Sequence, residues 1–152
     1  MPDFTLTSTA FAEGGSIPRR FSCDGEDVSP DLAWARAPAG TAALVLVVDD
    51  PDARGFVHWL VLDIVGSPTG ALPLGISASP DAPAQGTNDF GRIGWGGPCP
   101  PSGEHRYTFT VYALGKPLGL PGAPSGAAVR RALGGVETLG KAVLQARYRR
   151  GS

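Results

Sequence analysis

The run from Ala42 to Val48 constrains the fold of this chain more than any other segment, because it is continuously apolar and rich in β-branched residues. It is shorter than most buried helices, and such a run is typical of a strand covered on both faces. A break at Pro38–Gly40 precedes it. Beyond it, Pro51 has no N–H to give to a sheet ladder. The sequence therefore predicts a central strand that closes at Asp50.

Two further segments alternate with the period of two that a strand produces. In one of them, one face carries Val57, Trp59, Val61 and Asp63, and the other carries His58, Leu60, Leu62 and Ile64. In the other segment, a single face carries His105, Tyr107, Phe109 and Val111. The chain also contains 22 glycines and 15 prolines, residues that favour turns. We therefore expect a mostly β protein of strands and turns.

The C-terminal quarter carries the one clear helical signal. Ser125 is a plausible N-cap for a helix that reaches Leu133, and Gly134-Gly135 would end it. We interpret Val136–Lys141 as a second short helical turn and Ala142–Arg149 as a last strand.

The rest of the chain consists of shorter pieces. Strand patterns occur around Phe4 and Leu6 and again at Leu32–Trp34. The stretch from Gly66 to Gly103 is long and lacks clear periodicity, so it is either disordered or a functional loop that packs on itself. Its end, Trp95–Gly103, holds three prolines that stiffen the backbone into a rim. With no repeat or linker in view, residues 1–152 are interpreted as a single domain.

Charge and composition exclude several classes of function. A net charge of −1 and a pI of about 6.1 argue against nucleic-acid binding. No apolar run approaches the roughly 20 residues that span a bilayer, and Met1–Ala10 shows no signal-peptide pattern, so the cytoplasm is the expected location. Cys23 and Cys99 are too few for a disulfide framework and would be thiols in a reducing compartment.

Four polar residues stand where strands begin or end. His58 and His105, the only histidines, each open a strand on its more apolar face, and Asp50 closes the central strand. Tyr107 shares a face with His105, about 7 Å away along the strand. Each residue also has a simpler interpretation, since Asp50 can cap a turn and the rings can be core residues. Their coincidence favours a cluster at one end of a sheet.

Other kinds of site lack the spacing that they need. The two cysteines and two histidines do not follow the spacing of a Cys₂His₂ zinc site. No G-x-S-x-G nucleophile elbow, P-loop or dinucleotide fingerprint occurs. We therefore predict neither a metal nor a cofactor.

Several ordered motifs resemble the phosphatidylethanolamine-binding protein family, in its bacterial branch of Raf-kinase-inhibitor-like proteins. The two signature-like segments are Asp50-Pro51-Asp52-Ala53 with Phe56-Val57-His58-Trp59, and Gly103–Phe109 with Tyr112-Ala113-Leu114. Further matches are Ser16-Ile17-Pro18, Cys23–Pro30, Leu32-Ala33-Trp34, Gln85–Gly91 and Gly96–Pro101. The resemblance runs from Phe4 to about Leu120.

The resemblance implies a large antiparallel sheet packed on a smaller sheet, with a short helix near the C-terminus. It also implies a pocket for phosphate, phosphorylated head groups or small anions such as acetate. The ligand-binding positions would be Asp50, His58, His105, Tyr107, Phe56, Gly97 and Pro98. In that set the Gly97 N–H would bind at the rim, and Asp50 would orient an imidazole. The resemblance also brings Cys23 and Cys99 near the pocket and leaves open a disulfide between them and a homodimer.

Three positions depart from the family pattern. Arg54 replaces a proline, either as a surface residue or as a cation at the mouth of the pocket. Phe56 stands where a tryptophan is frequent, which keeps that wall apolar. Gly134-Gly135 stands where relatives carry Gly-His before the last helix, so this chain lacks that histidine.

Three functions are compatible with these observations. The leading one is a non-enzymatic module that binds a small anionic or phosphorylated ligand and regulates a partner protein. The second is an enzyme, an isomerase, cyclase or lyase, in which His58, His105, Asp50 and Tyr107 move protons. The third is inhibition of a kinase or peptidase through protein contacts.

Overall fold

The computed structural model describes residues 3–150, which form two antiparallel sheets. The strands are β1 (Thr5–Thr7), β2 (Leu32–Ala35), β3 (Ala43–Asp50), β4 (Phe56–Val65), β5 (Gly70–Leu72), β6 (Ala84–Gln85), β7 (Glu104–Leu114) and β8 (Thr138–Arg149). The helix α1 spans Gly126–Leu133, and single 3₁₀ turns lie at Arg19–Phe21, Pro51–Ala53 and Ile76–Ala78. The smaller sheet has the order β1-β2-β5 and the larger one β6-β4-β3-β7-β8. This arrangement confirms the expected fold class.

Strand β3 lies at the centre of the larger sheet, between β4 and β7, as its apolar run predicts. Leu44 and Leu46 point into the core shared with the smaller sheet, whereas Val45 and Val47 pack on the side of α1. All four side chains are buried. Burial on both faces explains why this segment shows no polar alternation.

Two β-bulges interrupt β4. Val48 of β3 pairs with Trp59, but the next residue, Asp49, pairs with Val57, so His58 is an extra residue without an opposite partner. A second irregularity lies between the pairs Leu44–Ile64 and Leu46–Val61. Bulges re-aim side chains and are frequent beside functional sites.

The first bulge corrects the predicted faces of β4. Strict alternation placed His58 with Leu60 and opposite Trp59. In the structure, His58 contacts Tyr107, which belongs to the same core cluster as Trp59, while Leu60 belongs to the cluster under α1. The predicted faces of His58 and Val57 were therefore both wrong, because the extra residue shifts the phase of the strand and Val57 lies in the cluster of Leu60. The second bulge likewise turns Ile64 toward the other core.

The helix forms as expected. The Ser125 hydroxyl accepts a hydrogen bond from the Ala128 N–H at 3.2 Å, and Val129 is fully buried against the larger sheet. Gly126 lies so close to β4 that a β-carbon there would be 2.7 Å from a methyl group of Val57.

The segment after the helix is a strand, which corrects the second helical turn predicted for Val136–Lys141. Strand β8 begins at Thr138 and pairs with β7 along its whole length, from Leu114–Thr138 to Glu104–Arg149. A partner strand of that length outweighs the weak local helical pattern.

The long stretch between β4 and β7 packs on the molecule. Gln85 accepts a hydrogen bond from the Trp59 indole at 2.8 Å, and the Trp95 indole donates to the Phe21 carbonyl at 3.1 Å. Cys23 and Cys99 are joined by a disulfide, which is the pairing that the family resemblance left open. Within the described residues, no helix has both the length and the apolar composition to cross a membrane.

Candidate functional site

Asp50 ends β3 and divides its two carboxylate oxygens between two tasks. Oδ1 accepts the backbone N–H of Asp52 at 2.8 Å and so caps the turn Pro51–Ala53. Oδ2 lies 2.6 Å from Nδ1 of His105. The side chain is almost entirely buried. The geometry of Asp50 therefore fits both interpretations, since it caps the turn and also contacts the imidazole of His105.

The turn after Asp50 is held from outside by Arg106. Its backbone N–H and its guanidinium donate three hydrogen bonds to Asp52, at 2.8, 3.2 and 2.9 Å. These bonds lower the pKa of Asp52 to about 2. Arg54 closes the turn in a left-handed conformation (φ 57°) and is exposed, outside the cavity lining. The surface interpretation of Arg54 is the one that the structure supports.

His58 is buried among aromatic rings. Its ring centre lies 5.1 Å from that of Phe56, 5.4 Å from Phe90 and 5.2 Å from Tyr107. Nδ1 lies 2.6 Å from the Gly96 carbonyl oxygen. Burial lowers the pKa of His58, and the bond to Gly96 acts against that shift without cancelling it. The neutral ring is therefore favoured.

Tyr107 lies between the two histidines. Its ring meets His58 edge-on and stacks on His105 at 6.5 Å, and its side chain is buried. Burial, with a smaller contribution from the charge of Asp50, raises the pKa of Tyr107 far above its ordinary value. The phenol consequently keeps its proton and remains a hydrogen-bond donor at neutral pH.

These side chains surround one cavity of about 160 Å³. It is lined by Asp50, Ala53, Phe56, His58, Phe90, Cys99, Pro100, Pro101, His105 and Tyr107. Five of the seven predicted ligand-binding residues thus face one space, although they come from β3, β4 and β7. The rest of the lining is largely apolar.

Gly97 and Pro98, the other two, do not line the cavity. In this structure the Gly97 N–H donates to Oδ1 of Asp27 at 2.8 Å, and its use by a ligand stays a prediction. The Pro98 carbonyl accepts the Cys23 N–H at 3.1 Å on the side of the disulfide. The rim is formed instead by the next residues, Cys99–Pro101.

Phe90 is the wall residue that the sequence did not single out. Asn88 fixes its position, because Oδ1 accepts the N–H groups of Phe90 and Arg92, at 3.0 and 3.2 Å, while Nδ2 donates to the Gly94 carbonyl. The Arg92 guanidinium lies 5.5 Å from the Phe90 ring. The motif Gln85–Gly91 marks this segment in the sequence, but the motif does not show which of its side chains faces the cavity.

The donor set does not resemble a metal centre. Residues 3–150 contain no group of three or more His, Cys, Asp or Glu side chains placed to hold an ion. The arrangement can instead orient an imidazole, hold a phenol O–H, and enclose a small group against apolar walls.

Comparison with known proteins decides the family. Residues 7–149 match the family model described as phosphatidylethanolamine-binding protein. The chain belongs to the phosphatidylethanolamine-binding protein family. A family relative in Methanothermobacter thermautotrophicus, called a UPF0098 protein, is 43% identical, with 96% of this chain and 99% of that protein covered.

Solved structures of the family agree with this fold. CT736 from Chlamydia trachomatis superposes with a TM-score of 0.88 at 34% identity, covering 99% of each chain. YbcL from Escherichia coli, described as a member of the mammalian family, gives 0.86 at 32% identity and covers 97% of this chain and 99% of that one. Another relative, at 45% identity over 85% of this chain, is a Mycobacterium tuberculosis protein named "Putative lipoprotein LppC". Because one relative is named as a lipoprotein, the predicted cytoplasmic location does not follow from membership of the family.

Proposed function

We propose that this protein is a non-enzymatic module that binds a small anionic or phosphorylated ligand, and through it regulates a partner. The observation that carries the proposal is the Asp50–His105 pair, 2.6 Å apart, at the wall of a cavity that Tyr107 also lines. An anionic oxygen needs donors of this kind, and donors close to charged groups form the strongest hydrogen bonds.

The shape of the cavity supports a small ligand. Its volume is about 160 Å³. Phe56, Phe90 and the prolines of the rim offer apolar contact to whatever carries the charged group. Phosphate, phosphoethanolamine and similar head groups fit this description, and they are the ligands that the family resemblance implies.

The test is an NMR titration of the imidazole nitrogens of His58 and His105 with phosphate and phosphoethanolamine. Both rings should shift at millimolar ligand. Asp50→Asn should weaken binding about tenfold, since it removes the charge beside His105 while keeping the shape. Asp81→Asn, which changes an exposed surface carboxylate, is the matched control. Unshifted rings in a folded protein would overturn the proposal.

One observation favours an enzyme as the second candidate. A carboxylate that orients an imidazole, next to a second imidazole held neutral, is an arrangement suited to moving protons between positions of a substrate. Wild type and His58→Ala should then differ in turnover of small phosphorylated or carboxylated metabolites. Equal and negligible turnover by both would leave binding alone.

A further inference from the structure

The Cys23–Cys99 disulfide lies between the solvent and the cavity. Cys23 is exposed, whereas Cys99 is half-buried between two buried prolines and lines the cavity. A thiolate exchanges with a disulfide by attacking one of its two sulfurs, and access helps to decide which one. Cys23 is therefore the end of this disulfide that a reductant reaches first.

Up to Pro98, the segment beside the cavity is also tied to the loop of Cys23 by hydrogen bonds. The Gly97 N–H donates to Oδ1 of Asp27 at 2.8 Å, and the Cys23 N–H donates to the Pro98 carbonyl at 3.1 Å. These bonds do not involve sulfur, so we expect them to remain when the disulfide is reduced.

Beyond Pro98 the rim lacks such ties. Pro100 and Pro101 have no N–H to donate. In the described part of the chain, no hydrogen bond between backbone groups joins residues 99–103 to another segment. Burial raises the pKa of Tyr107, and the Cys99 N–H beside its hydroxyl acts against that shift. The disulfide is therefore the main tie that holds the rim against the cavity.

The loop on the other side of the disulfide has anchors of its own. The Ser22 hydroxyl donates to the Tyr148 hydroxyl at 2.9 Å, and the Tyr148 hydroxyl donates to Oδ2 of Asp24. Tyr148 is buried in β8. Breaking the S–S bond consequently frees the rim and leaves the loop of Cys23 attached to the larger sheet.

We propose that Cys23–Cys99 is a reversible redox site, which a dithiol reductant opens by attack on Cys23. Reduction releases the rim Cys99–Pro101 from the loop of Cys23 and lowers the affinity of the cavity for its ligand. The effect on affinity rests on the proposed anion-binding function, whereas the exchange reaction and the release of the rim do not.

The exchange takes two steps. A thiolate of the reductant attacks Sγ of Cys23, so a mixed disulfide forms and Cys99 leaves as a thiolate that takes up a proton. The second thiolate of the reductant then attacks the reductant's own sulfur in the mixed disulfide, and Cys23 leaves and takes up a proton. In sum, two electrons and two protons pass to the protein, and the dithiol becomes a disulfide.

The first experiment identifies the attacked sulfur. A Cys-x-x-Cys dithiol protein whose second cysteine is replaced by serine cannot complete the second step, so the mixed disulfide accumulates. Trypsin places Cys23 in the peptide Phe21–Arg36 and Cys99 in the peptide Ile93–Arg106. Mass spectrometry after an acid quench should find the mixed disulfide at least about fivefold more often on Phe21–Arg36. An excess on Ile93–Arg106, or no mixed disulfide with the folded protein, would overturn the proposal.

The second experiment follows the rim itself and needs no ligand. In protein reduced with dithiothreitol, the backbone ¹⁵N heteronuclear NOE values of Cys99, Ser102 and Gly103 should fall, because these residues gain motion on the ps–ns timescale. The value of Ser22 should not change, since its hydrogen bond to Tyr148 persists. Unchanged values at residues 99–103, or an unfolded reduced protein, would overturn the proposed release.

The third experiment measures the coupling to the ligand. Isothermal titration with inorganic phosphate should give the reduced protein about fivefold or more weaker binding than the oxidised protein. Because such coupling is reciprocal, saturating phosphate should shift the equilibrium in a dithiothreitol redox buffer toward the protein disulfide by the same factor. Cys23→Ser is the matched control, since it removes the disulfide but keeps the Cys99 side chain. It should bind phosphate as the reduced protein does, with or without dithiothreitol.

The outcomes keep this inference apart from the proposed function. Equal affinity for phosphate in the two redox states would overturn the coupling and leave anion binding standing. Binding of phosphate by neither state of the folded protein would overturn the proposed function and the coupling, while the first two experiments still decide the exchange and the release. An affinity of Cys23→Ser equal to that of the oxidised protein would also overturn the coupling. If this variant does not fold, the two states of the wild-type protein decide.

Discussion

His58 shows how one residue in a strand can change the chemistry of a site. It is the extra residue of a bulge, so it turns away from Leu60 and toward Tyr107 and the cavity. The same position buries it among rings, which favours its neutral form. The placement and the protonation state of this histidine therefore have one structural cause.

We expect the His58 ring to stay neutral, with the hydrogen on Nδ1, as the pH falls below about 6.5, the ordinary value for histidine. In the unfolded chain the ring takes up a proton near that value. The difference between the two pKa values makes the free energy of unfolding depend on pH. The stability that the neutral, buried ring contributes is complete above about pH 6.5 and is lost as the pH falls from there toward the lowered pKa of the folded state. Imidazole ¹⁵N shifts measured across pH, in native and urea-unfolded protein, check this. A native midpoint at or above the unfolded one would contradict it.

At the scale of elements, the turn Pro51–Ala53 connects the buried site to the surface. Asp50 caps it from inside and Arg106 holds Asp52 from outside. Because β3 and β7 are neighbours in the sheet, the hydrogen bonds from Arg106 to Asp52 join two adjacent strands.

Asp52→Asn should remove part of the acid sensitivity of the protein. The pKa of Asp52 is lowered from 3.8 to about 2 by its bonds to Arg106. Its stabilisation is therefore present above about pH 4 and is lost as the pH falls toward 2. Urea unfolding at several pH values should give a flatter slope between pH 4 and 2 for Asp52→Asn than for wild type. Asp81→Asn should retain the wild-type slope, and an unchanged slope in Asp52→Asn would refute the assignment.

Two glycines of the helix region should respond differently to replacement by alanine. Gly126→Ala places a β-carbon 2.7 Å from Val57 Cγ2, in a packed contact, and should lower the free energy of unfolding by about 1–3 kcal/mol. At Gly134 the backbone is right-handed helical, with φ −67°, and the nearest atom to a β-carbon is 3.4 Å away. Gly134→Ala should be neutral or stabilising by up to about 1 kcal/mol. Chemical denaturation measures both, and equal effects would refute the close helix contact.

Most elements could be predicted from the sequence where local pattern and tertiary pairing agree. The buried run of β3, the alternation of β7 and the Ser125 cap are such cases. The start of β8 and the faces of β4 could not, because a long partner strand and a bulge determine them. A bulge adds one residue to one strand of a pair, and the sequence of that strand alone does not show how it is aligned with its neighbour.

At the scale of the whole molecule, the Cys23–Cys99 disulfide joins residues separated by 76 positions. It links the loop after Arg19–Phe21 to the cavity rim. The rim lies outside the strands of the larger sheet, so the disulfide fixes its position in addition to the sheet. The convergence of Asp50, His58, His105 and Tyr107 was predictable from strand ends. The rim was not, since the path of a segment without periodicity depends on contacts such as Gly97–Asp27.

Replacing both cysteines by serine should lower the free energy of unfolding by about 2–4 kcal/mol, because the disulfide closes a long loop in the unfolded chain. Phosphate binding should also weaken, since Cys99 is part of the cavity wall. Urea unfolding and ligand titration on the double variant measure the two effects. The reduced wild-type protein is the control for the side-chain change, and unaltered stability in both would contradict the prediction.

Asp50 connects the imidazole of His105 at the cavity to a turn on the surface of the protein. The carboxylate that orients the half-buried imidazole of His105 also caps a turn whose outer anchor, Arg106, is an exposed neighbour of His105 on the same strand. Salt or a docked macromolecule that competes for the Arg106 guanidinium would loosen the turn and, one side chain further in, relax the imidazole. Events at the exterior can thus reach the wall of the cavity through two hydrogen bonds, with the sheet itself unmoved.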